Sequence, residues 1–166
     1  LCQTLWSHSF RELLNDEGTR IPYDCLLRVE STVMGTNVRL YYPADWGADN
    51  PRLDSVDIIM DAAGSSLQKY NPYGPNPINT VYIVLTDYDY YDTTEGGFDP
   101  DVFAAANDYT SPTTSCHVGI FPTGFEESTE SLQQTIAHEM FHCYQFKNLR
   151  PQINNLPNEI NDWWVE

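Results

Sequence analysis

Apolar positions recur along this chain with two different periods, and each period predicts a different kind of element. In residues 51–70, "PRLDSVDIIMDAAGSSLQKY", Leu53, Val56, Ile59, Met60, Ala63 and Leu67 fall at helical spacing, the stripe of a helix with one buried face. Pro51 suits its first turn, where a missing N–H costs no hydrogen bond. A second stripe, Leu132, Ile136, Met140 and Cys143, predicts another helix that runs through Gln145 and is over by Pro151. Ser128 or Thr129 can cap it, and Glu126, Glu127 and Glu130 put negative charge at the positive end of its dipole. Residues 4–16, "TLWSHSFRELLND", read as a short amphipathic helix ending near Gly18.

Between these helices the pattern changes. "CLLRVES" (25–31) and "NVRLYYPAD" (37–45) are rich in strand formers, with "MGTN" between them as a hairpin turn. "NPYGPNP" (71–77) holds three prolines and can only be a loop. "TVYIVLTD" (80–87) is a buried strand. The stretch from Tyr88 to Ser115 reads as a long excursion with a helical turn at "DVFAAAND". "CHVGIFPTG" (116–124) is a second strand, placed at a sheet edge because Pro122 has no N–H for a neighbour. The order helix, strand, strand, helix predicts an α+β fold, a mixed sheet with helices packed against it.

Composition narrows the class. The 166 residues suffice for one domain with a real core. Hydrophobic residues make up 41% and charged ones 19%, a globular balance. No apolar run approaches the roughly 20 residues of a membrane-spanning helix. The net charge of -16 repels nucleic acid and anionic lipid, so neither is expected as a partner, while divalent cations are favoured. Cys2, Cys25, Cys116 and Cys143 form no CxxC pair. Two disulfides in a secreted protein are therefore expected rather than a structural zinc cluster. With Cys143 on the core side of its helix, Cys116 on the strand beneath is its expected partner, which leaves Cys2 and Cys25 as the other pair. The chain begins with Leu1, without a charged and apolar leader, and Glu166 follows "DWWV" with no turn or cap. Both ends read as cuts, made by processing or by excision.

The chemistry concentrates in "TIAHEMFHCYQ" (135–145). On a helix each residue advances about 100°, so His138 and His142 project from one face a turn apart. Two imidazoles so placed can both reach a zinc ion at about 2.0–2.1 Å. Glu139 sits about 100° round from His138, badly aimed at the ion but able to take a proton from water polarised by it. Ser131, Thr135 and Gln145 share the histidine side, which would line a cleft. The plain alternative is two surface histidines that share a turn by chance. The capped amphipathic helix and the preceding strand favour the metal site.

Through "HEMFH" at 138–142 the sequence resembles the zincin metallopeptidases. The resemblance implies a sheet with a backing helix (51–70) and an active-site helix above a cleft, an edge strand ("CHVGIFPTG") that pairs with extended substrate, and a lower half-domain that this chain would lack. It divides the chain into an N-terminal helix and hairpin region (1–48), the sheet with its two helices (51–149), and the start of a third-ligand helix (150–166). No histidine follows His142, so the resemblance is to the gluzincins, whose third ligand is a glutamate from a following helix. Glu159 and Glu166 are the two candidates, and "NDWWVE" is similar to the segment that supplies it, which favours Glu166. Asp162 would orient one histidine through its free ring nitrogen, unless it merely caps that helix.

The implied activity is a zinc metalloendopeptidase acting on a peptide or protein substrate, with Glu139 as general base, in a chain expected to be monomeric. The rival from another class is a secreted binding module of the same fold without hydrolytic chemistry. A deformylase-like hydrolase would need a Gly-Cys-Leu context that is missing here. Calcium is the other candidate cofactor, because "DYDYYDTTEGGFDPD" (87–101) gathers five aspartates and a glutamate. That spacing matches no EF-hand, and a solvated acidic loop accounts for it as well. His117 is expected to face the cleft or the surface, and His8 the surface.

Overall fold

The computed structural model describes residues 26–74, 78–87, 89–92, 97–107 and 115–148. The expectations placed on the 4–16 helix, Cys2, Cys25, His8, Glu159, Asp162 and Glu166 fall outside those residues. The hairpin forms as expected. Strand β1 (Leu26–Val33) pairs antiparallel with β2 (Thr36–Pro43) through a two-residue turn. Met34 and Gly35 both take positive φ, 51° and 83°, the conformation whose twist matches the flanking strands. Gly35 adopts it without steric cost, whereas Met34 carries some strain.

The helix predicted at 51–70 begins as a single 3-10 turn, Pro51–Asp54, capped by the Asn50 side chain. It continues as α1 (Ser55–Tyr70), which buries Val56, Ile59, Ala63 and Leu67. Strand β3 (Thr80–Leu85) lies parallel to β2. The acidic excursion folds back as a small antiparallel ribbon, β4 (Tyr90–Asp92) with β5 (Gly97–Asp99). It then enters β6 (Ala104–Asn107), and β7 (Ser115–Ile120) completes the sheet. The five-stranded order is β1-β2-β3-β7-β6, with β2, β3 and β7 parallel and both outer strands antiparallel. The fold is therefore α+β with a mixed sheet.

Two expectations are corrected here. The strand at 116–124 is not an edge. It hydrogen-bonds to β3 on one side and β6 on the other, and pairing stops at Ile120. Pro122 lies beyond the ladder and opens the short helix α2 (Pro122–Glu126), where its missing N–H is harmless. The edge is β6, which "DVFAAAND" supplies in place of a helical turn. Alanine prefers helix locally, but pairing with β7 overrides that preference. The small Ala104 and Ala106 side chains join the core beneath the last helix. Gly124 anchors this edge, since a Cβ there would stand 2.7 Å from the Phe103 carbonyl oxygen.

That last helix is α3 (Thr129–Asn148), capped by Ser128, whose hydroxyl accepts the Ser131 N–H at 3.2 Å. It packs beside α1 and over β6 and β7. Leu132, Ile136, Met140 and Cys143 interlock with Val38, Leu40, Val81, Ile83, Val118 and Ile120 of the sheet. Each such side chain, fully buried, contributes about 1.5–3 kcal/mol. The expected Cys116–Cys143 disulfide is present, with a Cα–Cα distance of 5.6 Å, and ties α3 to β7. The other sheet face carries a smaller cluster of Tyr41, Val84 and Phe121. Among the described residues no helix is long and apolar enough to cross a membrane.

Candidate metal centre

Helix geometry brings His138, Glu139 and His142 together, as their spacing predicts. Their ligand atoms all lie within 4.8 Å of one another, and this is the one group of three or more metal-ligating side chains so clustered among the described residues. The two imidazole rings are perpendicular, at 89°, with centroids 4.5 Å apart. Their Nε2 atoms face each other at 2.9 Å. Two imidazoles on one tetrahedral ion would sit about 3.3 Å apart, given bonds of about 2.0–2.1 Å. The donor pair could thus share one metal cation after a movement of a few tenths of an ångström.

His142 is held on two sides. Its Nδ1 lies 2.8 Å from Oε1 of Gln145, one turn on. Phe146 stacks on its ring, with centroids 6.1 Å apart. His138 is exposed, and its pKa is lowered, first by partial desolvation and then by the charge of His142. A ring that resists protonation keeps a lone pair available to a cation.

Glu139 is the buried member, 6% exposed. Burial raises its carboxyl pKa, while His142 and a hydrogen bond donated by the Ala106 N–H act in the opposite direction. That N–H belongs to edge strand β6, so the carboxylate is tied to the backbone beside which an extended chain could lie. Desolvation thus dominates at Glu139, leaving a buried carboxyl that holds its proton more tightly than an exposed glutamate does.

His117 is neither cleft-facing nor at the surface. It is buried on the sheet face opposite α3, where its ring stacks on Tyr82 at 5.0 Å. The alternation of side chains along β7 puts Cys116 toward the helices and His117 away from them, so it cannot complete this site. In the acidic stretch, the Asp87 carboxylate accepts the Trp46 indole N–H and ion-pairs with Arg52 at 2.6 Å. Asp99 accepts the N–H of Asp101. The Asp87 contacts structure the turn after β3, and the Asp99 contact the turn after β5.

Sequence reasoning put Gln145 on the histidine side but missed that it bonds His142. The three-residue spacing within one helix could have revealed it. The Ala106 contact had no local signal, because it depends on which strand lies next to α3. No protein-family model and no curated protein matches this sequence.

Proposed function

We propose that this chain is the catalytic part of a secreted zinc-dependent metallopeptidase of the zincin type, with a glutamate as third ligand. The observation that carries the reading is the convergence of His138, His142 and the buried Glu139 within 4.8 Å. Its setting supports it further: the helix that bears them lies against an antiparallel edge strand, β6, which has a sheet neighbour on one side only among the described residues. The Cys116–Cys143 bridge agrees with an exported protein.

In this reading the His138 and His142 imidazoles would hold the ion, and Glu166, which lies outside the described residues, is the expected third ligand. Zinc there would supply the positive charge that acidifies water and polarises a carbonyl. Glu139 would take a proton from that water and pass it to the departing amine. Its burial makes the carboxylate a stronger base, and the Ala106 N–H ties it to β6. The outer side of β6 offers backbone groups to an extended peptide, which would lie next to Glu139.

The test is casein cleavage by the protein expressed with its natural downstream sequence, with bound zinc measured in parallel for wild type and Glu139→Gln. One zinc per chain in both, with cleavage only in the wild type, supports a peptidase. Zinc with cleavage in neither favours the non-catalytic binding module. Equal cleavage by both overturns the role given to Glu139.

A further inference from the structure

The two Nε2 atoms 2.9 Å apart pose a question of proton placement. At that distance two neutral imidazoles need one proton between them, donated by one ring and accepted by the other. Which ring donates depends on what holds the far nitrogen of each. On His142 that nitrogen is Nδ1, 2.8 Å from the Oε1 of Gln145, a carbonyl oxygen that can only accept. Gln145 is buried on the same helix, and Phe146 covers one face of the ring. His138 is exposed, so water reaches its ring.

We propose that Gln145 is a positioning residue of the metal site. By accepting the Nδ1 proton of His142 it fixes that ring in the tautomer whose Nε2 lone pair is ready for a cation, and it makes His138 the ring that must change tautomer on binding. In the metal-free protein His138 donates its Nε2–H to His142. Ligation of a cation by His138 would require that ring to release this proton to water and to take one from water at Nδ1. The number of bound protons is unchanged, and only its ring nitrogen is exchanged. His142 is the preset ligand and His138 the adaptable one. The use of this arrangement rests on the metal-centre reading, but the tautomer assignment concerns the metal-free chain alone.

Long-range proton–nitrogen NMR of the metal-free full chain at about pH 8, above the usual imidazole range near 6.5, reads the two rings directly. The expected pattern is Nδ1–H for His142 and Nε2–H for His138. On adding zinc, His138 should adopt the His142 pattern while His142 keeps its own. Metal-free His142 carrying its proton on Nε2 overturns the proposal. Gln145→Leu should mix the His142 tautomers and weaken zinc binding by about 10- to 100-fold. Gln145→Glu, which retains the acceptor, should restore both. Unchanged zinc affinity in the leucine variant overturns the positioning role while leaving the metal centre standing. Absence of zinc binding in the wild type, with the tautomers as expected, overturns the metal reading and the purpose of the lock with it. Should the leucine variant fail to fold, the wild-type and Gln145→Glu spectra decide.

Discussion

Glu139 is the residue at which burial and charge conflict. Its burial raises the carboxyl pKa above the ordinary glutamate value, against the opposing effects of His142 and the Ala106 N–H. Well below the ordinary value, folded and unfolded chains both carry the proton and there is no penalty. As pH rises through the folded value, the native state must hold a buried anion that the unfolded chain holds in water, and stability is lost. In the metal-free protein, Glu139→Gln is therefore expected to raise the unfolding midpoint at about pH 7 and to change it little near pH 4, close to the reference glutamate pKa. Equal shifts at both pH values in thermal melts would show that the charge is not the cause. On the proposed peptidase reading the same substitution would remove the general base, and kcat should fall by about 10²- to 10⁴-fold with zinc content unchanged.

At the scale of elements, α3 is positioned by two independent devices, its apolar stripe and the Cys116–Cys143 bridge. The bridge closes a sequence separation of 27 residues. Loop-closure entropy for a cross-link of that span corresponds to about 3.5 kcal/mol. Replacing both cysteines by alanine should lower the unfolding free energy in urea by that order, and a loss under about 1 kcal/mol would contradict the bridge as a clamp. Gly124→Ala drives a methyl group against the Phe103 carbonyl. It should destabilise the fold by about 1–3 kcal/mol, as overpacking does, and should disturb β6 first, seen as faster amide exchange at 104–107.

The two long helices and the hairpin were legible because their signals are local: a stripe at three-to-four spacing, a Met-Gly turn, a proline at a first turn. The edge of the sheet was not. Ala104 to Ala106 favour helix by intrinsic preference, and only pairing with β7, a non-local event, makes them a strand. Pro122 was counted within a strand that ends two residues earlier, and that error moved the edge to the wrong place.

At the scale of the whole molecule, the candidate site divides in the same way. The His138–Glu139–His142 group could be read from one helix because the helix itself fixes their relative positions. The Ala106 donor, and the burial of His117 behind the sheet, depend on strand order that no short window carries. A chain with net charge -16 attracts divalent cations generally, so specificity for one of them must come from the imidazole pair. A ligand at a thousand times its Kd stabilises a fold by about 4 kcal/mol. Excess zinc should thus raise the melting temperature of the wild type and leave that of His138→Ala/His142→Ala unmoved. A rise of equal size in both would assign the effect to the acidic surface.

The most direct measurement is the metal content of the protein after zinc loading and exhaustive dialysis, for the wild type and for that double variant. The account predicts one tightly held zinc per wild-type chain and none in the variant. A wild type that emerges without metal, or a variant that retains as much, would contradict it.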